Sequence, residues 1–186
     1  MRVLVGCEFS GVVRDAFSRR GHRAVSCDIK PSTSPVGLHY RGDIRALLSR
    51  DWDLLIAHPP CTNLTVASAS VWGHNWEEQE KDLDLVEVLL NAPIPRIAIE
   101  NPPGLISTMI RKPDQYIHPY MFGEPYRKRT GLWLENLPRL FPTDNLWDKP
   151  EEYPILKSWT DVRRDAHRRS VTFKGIADAM AEQWGS

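Results

Sequence analysis

The sequence has no apolar run that approaches the roughly 20 residues of a membrane-spanning helix. A secretory signal peptide is also not expected, because Glu8, Arg14 and Asp15 interrupt the apolar stretch that such a leader needs near its start. These two observations predict a cytoplasmic protein that does not enter a membrane. The 186 residues suffice for one domain, and they contain no internal repeat.

Cysteine is scarce, with only Cys7, Cys27 and Cys61 in the chain. An odd number without a closely spaced pair is not typical of a disulfide framework or of a cysteine metal site. We expect free thiols, and we interpret Cys7 and Cys27 as small buried apolar residues. The six histidines show no pair with metal-ligand spacing, so no metal is predicted.

The formal net charge is zero, since 24 basic residues balance 24 acidic ones. This balance argues mildly against a protein whose main task is to hold nucleic acid, because such domains are usually basic. The charges are unevenly placed, however, and a neutral protein with one basic face stays open. Residues 80–100 are rich in acid, whereas the basic residues cluster at Arg127, Lys128 and Arg129 and at Arg163, Arg164, His167, Arg168 and Arg169.

Apolar runs alternate with helical patterns through the first half of the chain, which predicts an α/β fold with a parallel sheet. Strands are expected at 2–6, 23–27, 52–57 and 96–99. Helices are expected from residue 12 up to Gly21, at 43–50, at 77–90 and at 175–184. The segment 130–160 is rich in Trp and Pro and has little periodicity, so we expect it to be irregular, with one or two short strands.

Cys61 directly follows a predicted strand and two prolines that stiffen the backbone before it. A lone free cysteine is usually a small buried apolar residue. After Pro59-Pro60, at the carboxyl end of a strand where α/β proteins bind ligands, a nucleophile is the better interpretation.

Glu100 follows the next predicted strand, in the sequence Ile99-Glu100-Asn101-Pro102. Alone it could be an ordinary loop charge. Beside a nucleophilic thiol, it could stabilise the electron density that reaches N3 of a cytosine when a thiolate adds to C6. That role calls for a raised pKa of Glu100, which we expect burial to supply.

The order of these motifs resembles that of the cytosine-C5 DNA methyltransferases, and among them the compact, phage-type members. In that family Pro-Pro-Cys holds the nucleophile, matching Cys61, and Glu-Asn-Pro holds the carboxylate, matching Glu100. The family's paired arginines near the target base resemble Arg127 and Arg129. The resemblance implies a Rossmann-like methyltransferase fold and a bacterial or phage-infected cell as the setting.

The resemblance also implies S-adenosylmethionine as cofactor. The glycine-containing turn of its first motif is similar to the segment after the first strand, and an acidic residue for the ribose matches Asp28. Ile29 would pack on the adenine, a Gly-Asp-Ile motif at Gly42 would contact the adenine amine, and Ser170 stands at the C-terminal motif. The implied cofactor-binding residues are Gly6, Cys7, Glu8, Phe9, Ser10, Gly11, Asp28, Ile29, Asp43, Ile44, Pro59 and Ser170.

The expected organisation is a catalytic core at 1–130, a reduced target-recognition segment at 131–160 and a C-terminal segment at 161–186 that completes the core. With so small a recognition segment, we expect a monomer that binds double-stranded DNA with a flipped cytosine in a target of two to four base pairs. The loop after Cys61 suits a lid, in which Trp72 and Trp76 either fill the gap left by the base or anchor the loop. Thr65, Ser68 and Ser70 could meet phosphates or be plain loop residues.

Two other functions stay open at this stage. The same chemistry could act on RNA or on a free cytosine nucleotide, or the chain could be a non-catalytic DNA-binding relative that retains the fold. Asp28 and Asp43 likewise could be helix caps instead of cofactor ligands, and His58 could be structural or could line the pocket.

Overall fold

A mixed sheet of seven strands organises the chain in the computed structural model, which describes residues 1–65, 76–159 and 171–186. The strands, in chain order, are β1 (Arg2–Gly6), β2 (Arg23–Asp28), β3 (Leu38–Arg41), β4 (Leu54–Ala57), β5 (Ile97–Asn101), β6 (Gln115–Ile117), β7 (Tyr126–Arg127), β8 (Thr130–Glu135) and β9 (Lys157–Ser158). The helices are α1 (Val12–Arg19), α2 (Trp76–Leu90), α3 (Ile106–Met109) and α4 (Lys174–Gln183), with short 3-10 turns at Ile44–Ala46, Pro119–Met121 and Leu146–Asp148.

The strand order is β3-β2-β1-β4-β5-β8-β6. The first five strands are parallel, whereas β8 runs antiparallel to both β5 and β6. The order reverses between β1 and β4, which places a topological switch point at their carboxyl ends. Strands β7 and β9 form a separate small parallel pair.

The central strands are apolar on both faces because helices cover both sides of the sheet. On one face, Val3 and Val5 pack with α1 and α4 through residues such as Phe17 and Met180. On the other face, Leu4 packs in the cluster that contains Val86 and Leu89 of α2. Because β1 to β5 run parallel, their carboxyl ends lie at the same edge of the sheet.

Helix α1 ends in a Schellman motif, as expected from Gly21. Gly21 has a φ of 81°, its amide donates to the carbonyl of Ser18, and the amide of His22 donates to the carbonyl of Phe17. At the start of the helix, Gly11 adopts a φ of 76° and carries no capping side chain. The carboxylate of Glu8 replaces that cap, as described with the site below.

The α/β class and the mostly parallel sheet are confirmed, together with the four predicted strands and the helices at α1, α2 and α4. The segment 43–50 is only a 3-10 turn of three residues, with Asp43 as its N-cap. The segment 130–160 contains two short strands, as expected: β8 at its start and β9 near its end. β8 lies inside the sheet, where it pairs with β5 and β6.

In the described ranges, no helix combines the length and apolar character needed to cross a membrane.

Candidate active site

The chain leaves two neighbouring parallel strands at the same edge of the sheet. Ala57 of β4 pairs with Ile99 of β5, so His58 and Glu100 come next on adjacent strands. The amide of His58 donates to the carbonyl of Gly6 at 3.0 Å, which brings the end of β1 against the same point. The sheet thus gathers the ends of three strands where the sequence carries its polar motifs.

Two side-chain hydrogen bonds join the Cys61 loop to the end of β5. Nδ1 of His58 lies 2.9 Å from Oε2 of Glu100, and Nδ2 of Asn101 donates to the carbonyl of Pro59 at 2.9 Å. The Asn101 side chain is buried, so its hydrogen bond is shielded from competing solvent. His58 and Pro59, three and two residues before the expected nucleophile, are therefore hydrogen-bonded to β5.

Beyond Cys61, the backbone turns and pairs with the loop that follows β5. The carbonyl of Cys61 accepts from the amides of Leu64 and Thr65, and Thr65 forms an isolated antiparallel bridge with Gly104. Leu105 donates its amide to the carbonyl of Leu64 at 2.8 Å. The partly exposed Cys61 thus lies on a loop held on both sides by residues 100–105.

Gly104 is required for this close pairing of the two loops. A Cβ at Gly104 would lie 1.9 Å from the carbonyl oxygen of Leu64, which is a backbone atom that cannot rotate away. The hydroxyl of Thr65 also lies 3.5 Å from the carbonyl of Pro103. Thr65, one of the expected phosphate contacts, is therefore engaged with the protein backbone.

The electrostatic surroundings of Glu100 differ from those expected. Burial raises its pKa, but hydrogen bonds from His58 and Thr130 and the positive charges of Lys128 and His58 outweigh burial. The pKa of Glu100 is consequently held below its ordinary value. The expectation of a raised pKa was wrong, because it counted the burial and not the donors that accompany it.

Lys128 is the cation of the Arg127–Arg129 segment that acts on Glu100. Its Nζ lies 6.0 Å from the centroid of the Phe173 ring. The two arginines are exposed, and the guanidinium of Arg129 stacks 3.9 Å from the ring centroid of Tyr116. The structure therefore brings Lys128 toward the Glu100 site and directs Arg129 to β6.

Arg127 lines a groove of about 490 Å³ on the segment that follows β8. The other lining residues are apolar or aromatic: Leu146, Trp147, Pro150, Tyr153, Pro154, Ile155 and Leu156. This groove lies within the segment expected to recognise the target.

The loop after β1 is built around the carboxylate of Glu8. That carboxylate is buried and accepts from the amide of Val13 at 2.7 Å and from the amide of Arg14 at 3.3 Å. It also lies 3.4 Å from the hydroxyl of Ser10. Burial raises the pKa of Glu8, and the charges and helix amides around it offset only part of that effect. Glu8 thus acts as the cap of α1.

The glycines of this loop serve close packing. A Cβ at Gly6 would lie 2.0 Å from Cδ1 of Ile44, and one at Gly11 would lie 2.3 Å from Nη2 of Arg14. Phe9 is buried beneath Lys30, whose Nζ lies 5.2 Å from the ring centroid.

Cys7 and Cys27 are thiols whose ionisation is suppressed. Burial, followed by the nearby negative charge of Asp28, raises the pKa of Cys7 to about 12 and that of Cys27 to about 11. Cys27 is fully buried, as expected, whereas Cys7 is partly accessible and adopts a φ of 55°. A positive φ is unusual for a residue other than glycine, so the turn after β1 holds Cys7 in a strained conformation.

The residues expected to hold the adenosine lie at the ends of β2 and β3. Asp28 accepts from the amide of Lys30 at 2.9 Å, and the adjacent Ile29 is 73% exposed. Asp43 accepts from the amide of Arg45 at 2.9 Å and pairs with its guanidinium. Ile44 is buried in the core against Gly6. Asp28, Ile29 and Asp43 therefore remain accessible, while Ile44 and Pro59 support the site from within.

Several expected contributors lie outside the described residues. These are Ser68, Ser70, Trp72, Arg163, Arg164, His167, Arg168, Arg169 and Ser170. Trp76, at the start of α2, is described and exposed. Close to Ser170 in the chain, the hydroxyl of Thr172 lies 3.5 Å from Nδ1 of His58. Over the described ranges, no group of three or more His, Cys, Asp or Glu side chains could hold a metal ion.

The sequence interpretation did not assign functional roles to His58, Asn101 or Lys128. His58 precedes the Pro-Pro-Cys sequence directly, and Asn101 follows Glu100 directly. The position of His58 and Asn101 next to the motif residues was thus a sequence signal that could have indicated a role in the site. Lys128 lies between Arg127 and Arg129 in the sequence. In an extended segment, successive side chains point to opposite sides, so Lys128 points away from the side that the two arginines share.

Comparison with protein-family models and with curated protein sequences finds no match. Two solved structures are similar in fold. One is an E. coli prophage-encoded protein assigned as a DNA modification methyltransferase, with 14% identity, a TM-score of 0.51 and coverage of 72% of this chain and 46% of that one. The other is the Dnmt2 methyltransferase of S. pombe, with 17% identity, a TM-score of 0.51 and coverage of 80% of this chain and 54% of that one.

The chain thus spans about half the length of each of these solved structures. The expected fold is confirmed: it is the Rossmann-like α/β fold of methyltransferases, with a mostly parallel central sheet.

Proposed function

We propose that this chain is an S-adenosylmethionine-dependent methyltransferase that methylates C5 of cytosine in DNA through a covalent adduct with Cys61. One observation carries the proposal. The Cys61 loop and the Glu100 strand end are joined by the His58–Glu100 and Asn101–Pro59 hydrogen bonds at the carboxyl edge of a methyltransferase-type sheet. Support also comes from two structural neighbours described as methyltransferases, one of them a DNA modification enzyme.

In this proposal Cys61 is the nucleophile. A thiol near pH 7 is only a few per cent ionised, but its thiolate adds readily to C6 of a cytosine taken out of the base stack. The addition moves electrons toward N3, where a proton delivered through Glu100 stabilises them. C5 takes the methyl group and loses its proton to a base, the C6–sulfur bond breaks, and the thiolate of Cys61 is restored.

The accessible residues at the ends of β2 and β3 fit an adenosine group. The carboxylate of Asp28 can accept hydrogen bonds from ribose hydroxyls, and exposed Ile29 offers an apolar surface for a purine ring. Asp43 can accept from an exocyclic amine. When bound, S-adenosylmethionine supplies the methyl group that C5 receives. Glu8 is not part of this contact set in the proposal, because the amides of α1 already use its carboxylate.

DNA contact is assigned to the groove beside Arg127 and to the basic residues 163–169. Aromatic and apolar side chains with one guanidinium suit stacking against bases and pairing with phosphate. Because phosphate contacts release counterions, binding should weaken steeply with salt. The small size of the segment supports a target of two to four base pairs and a monomeric enzyme.

Covalent trapping tests the proposal directly. Duplex DNA containing 5-fluorocytosine cannot release the nucleophile after methyl transfer, so we expect a denaturation-resistant protein–DNA adduct that requires S-adenosylmethionine. Cys61→Ser should abolish the adduct, whereas Cys27→Ala should retain it because Cys27 is buried in the core.

Parallel reactions with duplex DNA, tRNA and dCMP decide the substrate class. Transfer to tRNA or dCMP alone would contradict the DNA assignment while leaving the chemistry in place. A wild-type protein that forms no Cys61-dependent adduct would overturn the enzyme assignment and favour a non-catalytic relative.

A further inference from the structure

His58 is the residue that makes the closest described contact with Glu100. Its Nδ1 lies 2.9 Å from Oε2, and the side chains of His58 and Glu100 are only 8% and 14% exposed. Ion pairs and hydrogen bonds in such a shielded place are stronger than those at the surface. The pair is also anchored, because the backbone amide of His58 donates to Gly6 and Glu100 lies within β5.

The charged groups around His58 come from three directions. Glu100 faces it from β5, and the charge of His58 also acts on the buried carboxylate of Glu8, after β1. Lys128, ahead of β8, acts on Glu100 from another side, and the neutral hydroxyl of Thr172 lies near Nδ1. The imidazole of His58 thus interacts with two carboxylates, and Lys128 acts on one of them, Glu100.

The other ring nitrogen of His58 has no hydrogen-bond partner in the described part of the chain. Nε2 is buried, and no described side chain or backbone group lies within hydrogen-bonding geometry of it. A buried polar atom without a partner is uncommon in folded proteins. All of its described polar contacts are instead at Nδ1, the nitrogen that faces the carboxylate.

We propose that His58 is a positioning residue that shares one proton with Glu100 and supplies it when Glu100 engages the base. This inference rests on the proposed function and deepens it. Glu100 is held as a carboxylate at rest, so the proton that stabilises N3 must come from a neighbour. An imidazole is a side chain that can both accept and donate a proton, and His58 is the imidazole that contacts Glu100.

The proton balance closes over one cycle. When the thiolate of Cys61 forms its bond to C6, N3 takes a proton from Glu100 as Glu100 takes the Nδ1 proton of His58, which becomes neutral. Once C5 has taken the methyl group, its proton leaves to a base, the C6–sulfur bond breaks, and the N3 proton returns through Glu100 to His58. The pair ends the cycle with the proton it held at the start.

Two variants separate proton sharing from simple placement. His58→Asn retains a hydrogen-bond donor near Glu100 but cannot carry a proton, and His58→Phe removes both properties. The alkaline limb of the pH–rate profile for single-turnover methyl transfer reports loss of the shared proton. In either variant the proton can reside only on Glu100, and a carboxyl group ordinarily loses its proton about two pH units below an imidazole.

We therefore expect the alkaline limb to move to lower pH by one unit or more in both variants. The rate at pH 7.5 should fall by about a hundredfold or more, as for loss of an acid–base group. His22→Asn is the matched control, since His22 lies at the opposite end of the strands, with its ring tilted against that of Phe17. A wild-type alkaline limb in His58→Asn would overturn proton sharing and leave His58 with a purely structural role.

A second measurement is independent of activity. Carbon-13 NMR of the labelled Glu100 carboxyl group, assigned with Glu100→Gln, gives its pKa in the wild type and the variants. Removing His58 removes the hydrogen bond and charge that lower this pKa, so it should rise in His58→Phe. An unchanged pKa of Glu100 would overturn the inference, even if no methyl transfer were found. A rise without any methyl transfer would support the coupling of the pair and contradict only the proposed function.

Discussion

Asn101 illustrates how a single amide can fix the direction of a neighbouring loop. Its side chain is buried, and Nδ2 donates to the carbonyl of Pro59, two residues before Cys61. Because prolines have no backbone N–H, Pro59 and Pro60 can be held by the protein only through their carbonyls or by packing. The Asn101 hydrogen bond therefore acts on the stiff part of the nucleophile loop.

Replacing Asn101 with Ala should misplace Cys61. The carbonyl of Pro59 loses its partner, which costs about 1–3 kcal/mol in the free energy of unfolding. A small displacement of the thiol should also lower the single-turnover methyl-transfer rate by about tenfold to a hundredfold. Urea unfolding and rapid-quench kinetics measure the two effects.

Asn91→Ala is the matched control, since Asn91 also donates to a backbone carbonyl, that of Glu87 at 2.8 Å, but at an exposed site. We expect this control to change stability by less than about 1 kcal/mol. Equal losses of rate in both variants would contradict the proposed role of Asn101.

At the scale of whole elements, the site depends on two loops that pack together without side chains between them. Gly104 permits this contact, because its Cα lies against the backbone of Leu64 and Thr65. Through this backbone pairing, the loop that follows β5 holds the loop that carries Cys61. A change at Gly104 therefore acts on the nucleophile through the backbone.

Gly104→Ala should force the two loops apart, because the added Cβ would lie 1.9 Å from the carbonyl oxygen of Leu64. We expect a loss of about 1–3 kcal/mol in stability, as for other overpacked sites. A fall of tenfold or more in adduct formation on 5-fluorocytosine DNA should accompany it, with protein folding checked by circular dichroism.

Gly185→Ala provides a comparable clash elsewhere, since its Cβ would lie 2.2 Å from the carbonyl oxygen of Ala181 after α4. This variant should lose stability but keep the rate of adduct formation. If Gly104→Ala formed the adduct at the wild-type rate, the loop pairing would not matter for the nucleophile.

The elements that could be predicted from the sequence are those with a buried face. Strands such as β1 and β4 are continuous apolar runs, and α2 places Val86 and Leu89 at helical spacing. Strand β3 was missed because Leu38 and Tyr40 are exposed, so it has no inward apolar pattern to detect. Strand β8 was expected only as an unplaced short strand, because Thr130, Gly131 and Glu135 leave an apolar run of just Leu132, Trp133 and Leu134.

The same distinction applies to the candidate site, part of which could be predicted from the sequence and part of which could not. The position of Cys61 and Glu100 at neighbouring strand ends follows from the alternation of strands and helices. The orientation of the side chains could not be predicted in this way, because the His58–Glu100 hydrogen bond joins residues that are 42 positions apart in the chain. The lowered pKa of Glu100 depends on donors from separate elements, and their meeting is fixed only by the packed fold.

Across the whole molecule, carboxylates contribute to the stability of the sheet as well as to the site. One of them, Asp114, lies beside the antiparallel strand β8. Asp114 accepts from the amide of Leu134 and from the guanidinium of Arg111, each at 2.7 Å. Burial raises the pKa of Asp114, but these hydrogen bonds and the charge of Arg111 hold it below its ordinary 3.8. A carboxyl group with a depressed folded-state pKa stabilises the fold above its unfolded pKa and loses that contribution as the pH falls.

Asp114→Asn should therefore reduce stability at pH 7 by about 1 kcal/mol, after allowance for solvent screening at this partly exposed site. Its free energy of unfolding should also fall less steeply than that of the wild type as the pH drops below about 4. Urea unfolding at a series of pH values measures the slope.

Asp51→Asn is the comparison, because the Asp51 side chain is 87% exposed and pairs only at the surface with Arg2. We expect its unfolding free energy to follow the wild-type curve. A slope for Asp114→Asn equal to that of the wild type would mean that Asp114 contributes nothing to acid unfolding.

The packing of α4 against α1 has a consequence for how the protein is made. Phe17 and Ala16 share a core cluster with Ile176, Met180 and Trp184, and Arg19 pairs with Asp178 at 2.7 Å. The part of the sheet's face that α4 covers, beside α1, therefore stays exposed during synthesis until α4 has left the ribosome. Contacts between residues so far apart in the chain form slowly. Nascent chains halted before α4 should bind chaperones, and full-length chains should be released from them.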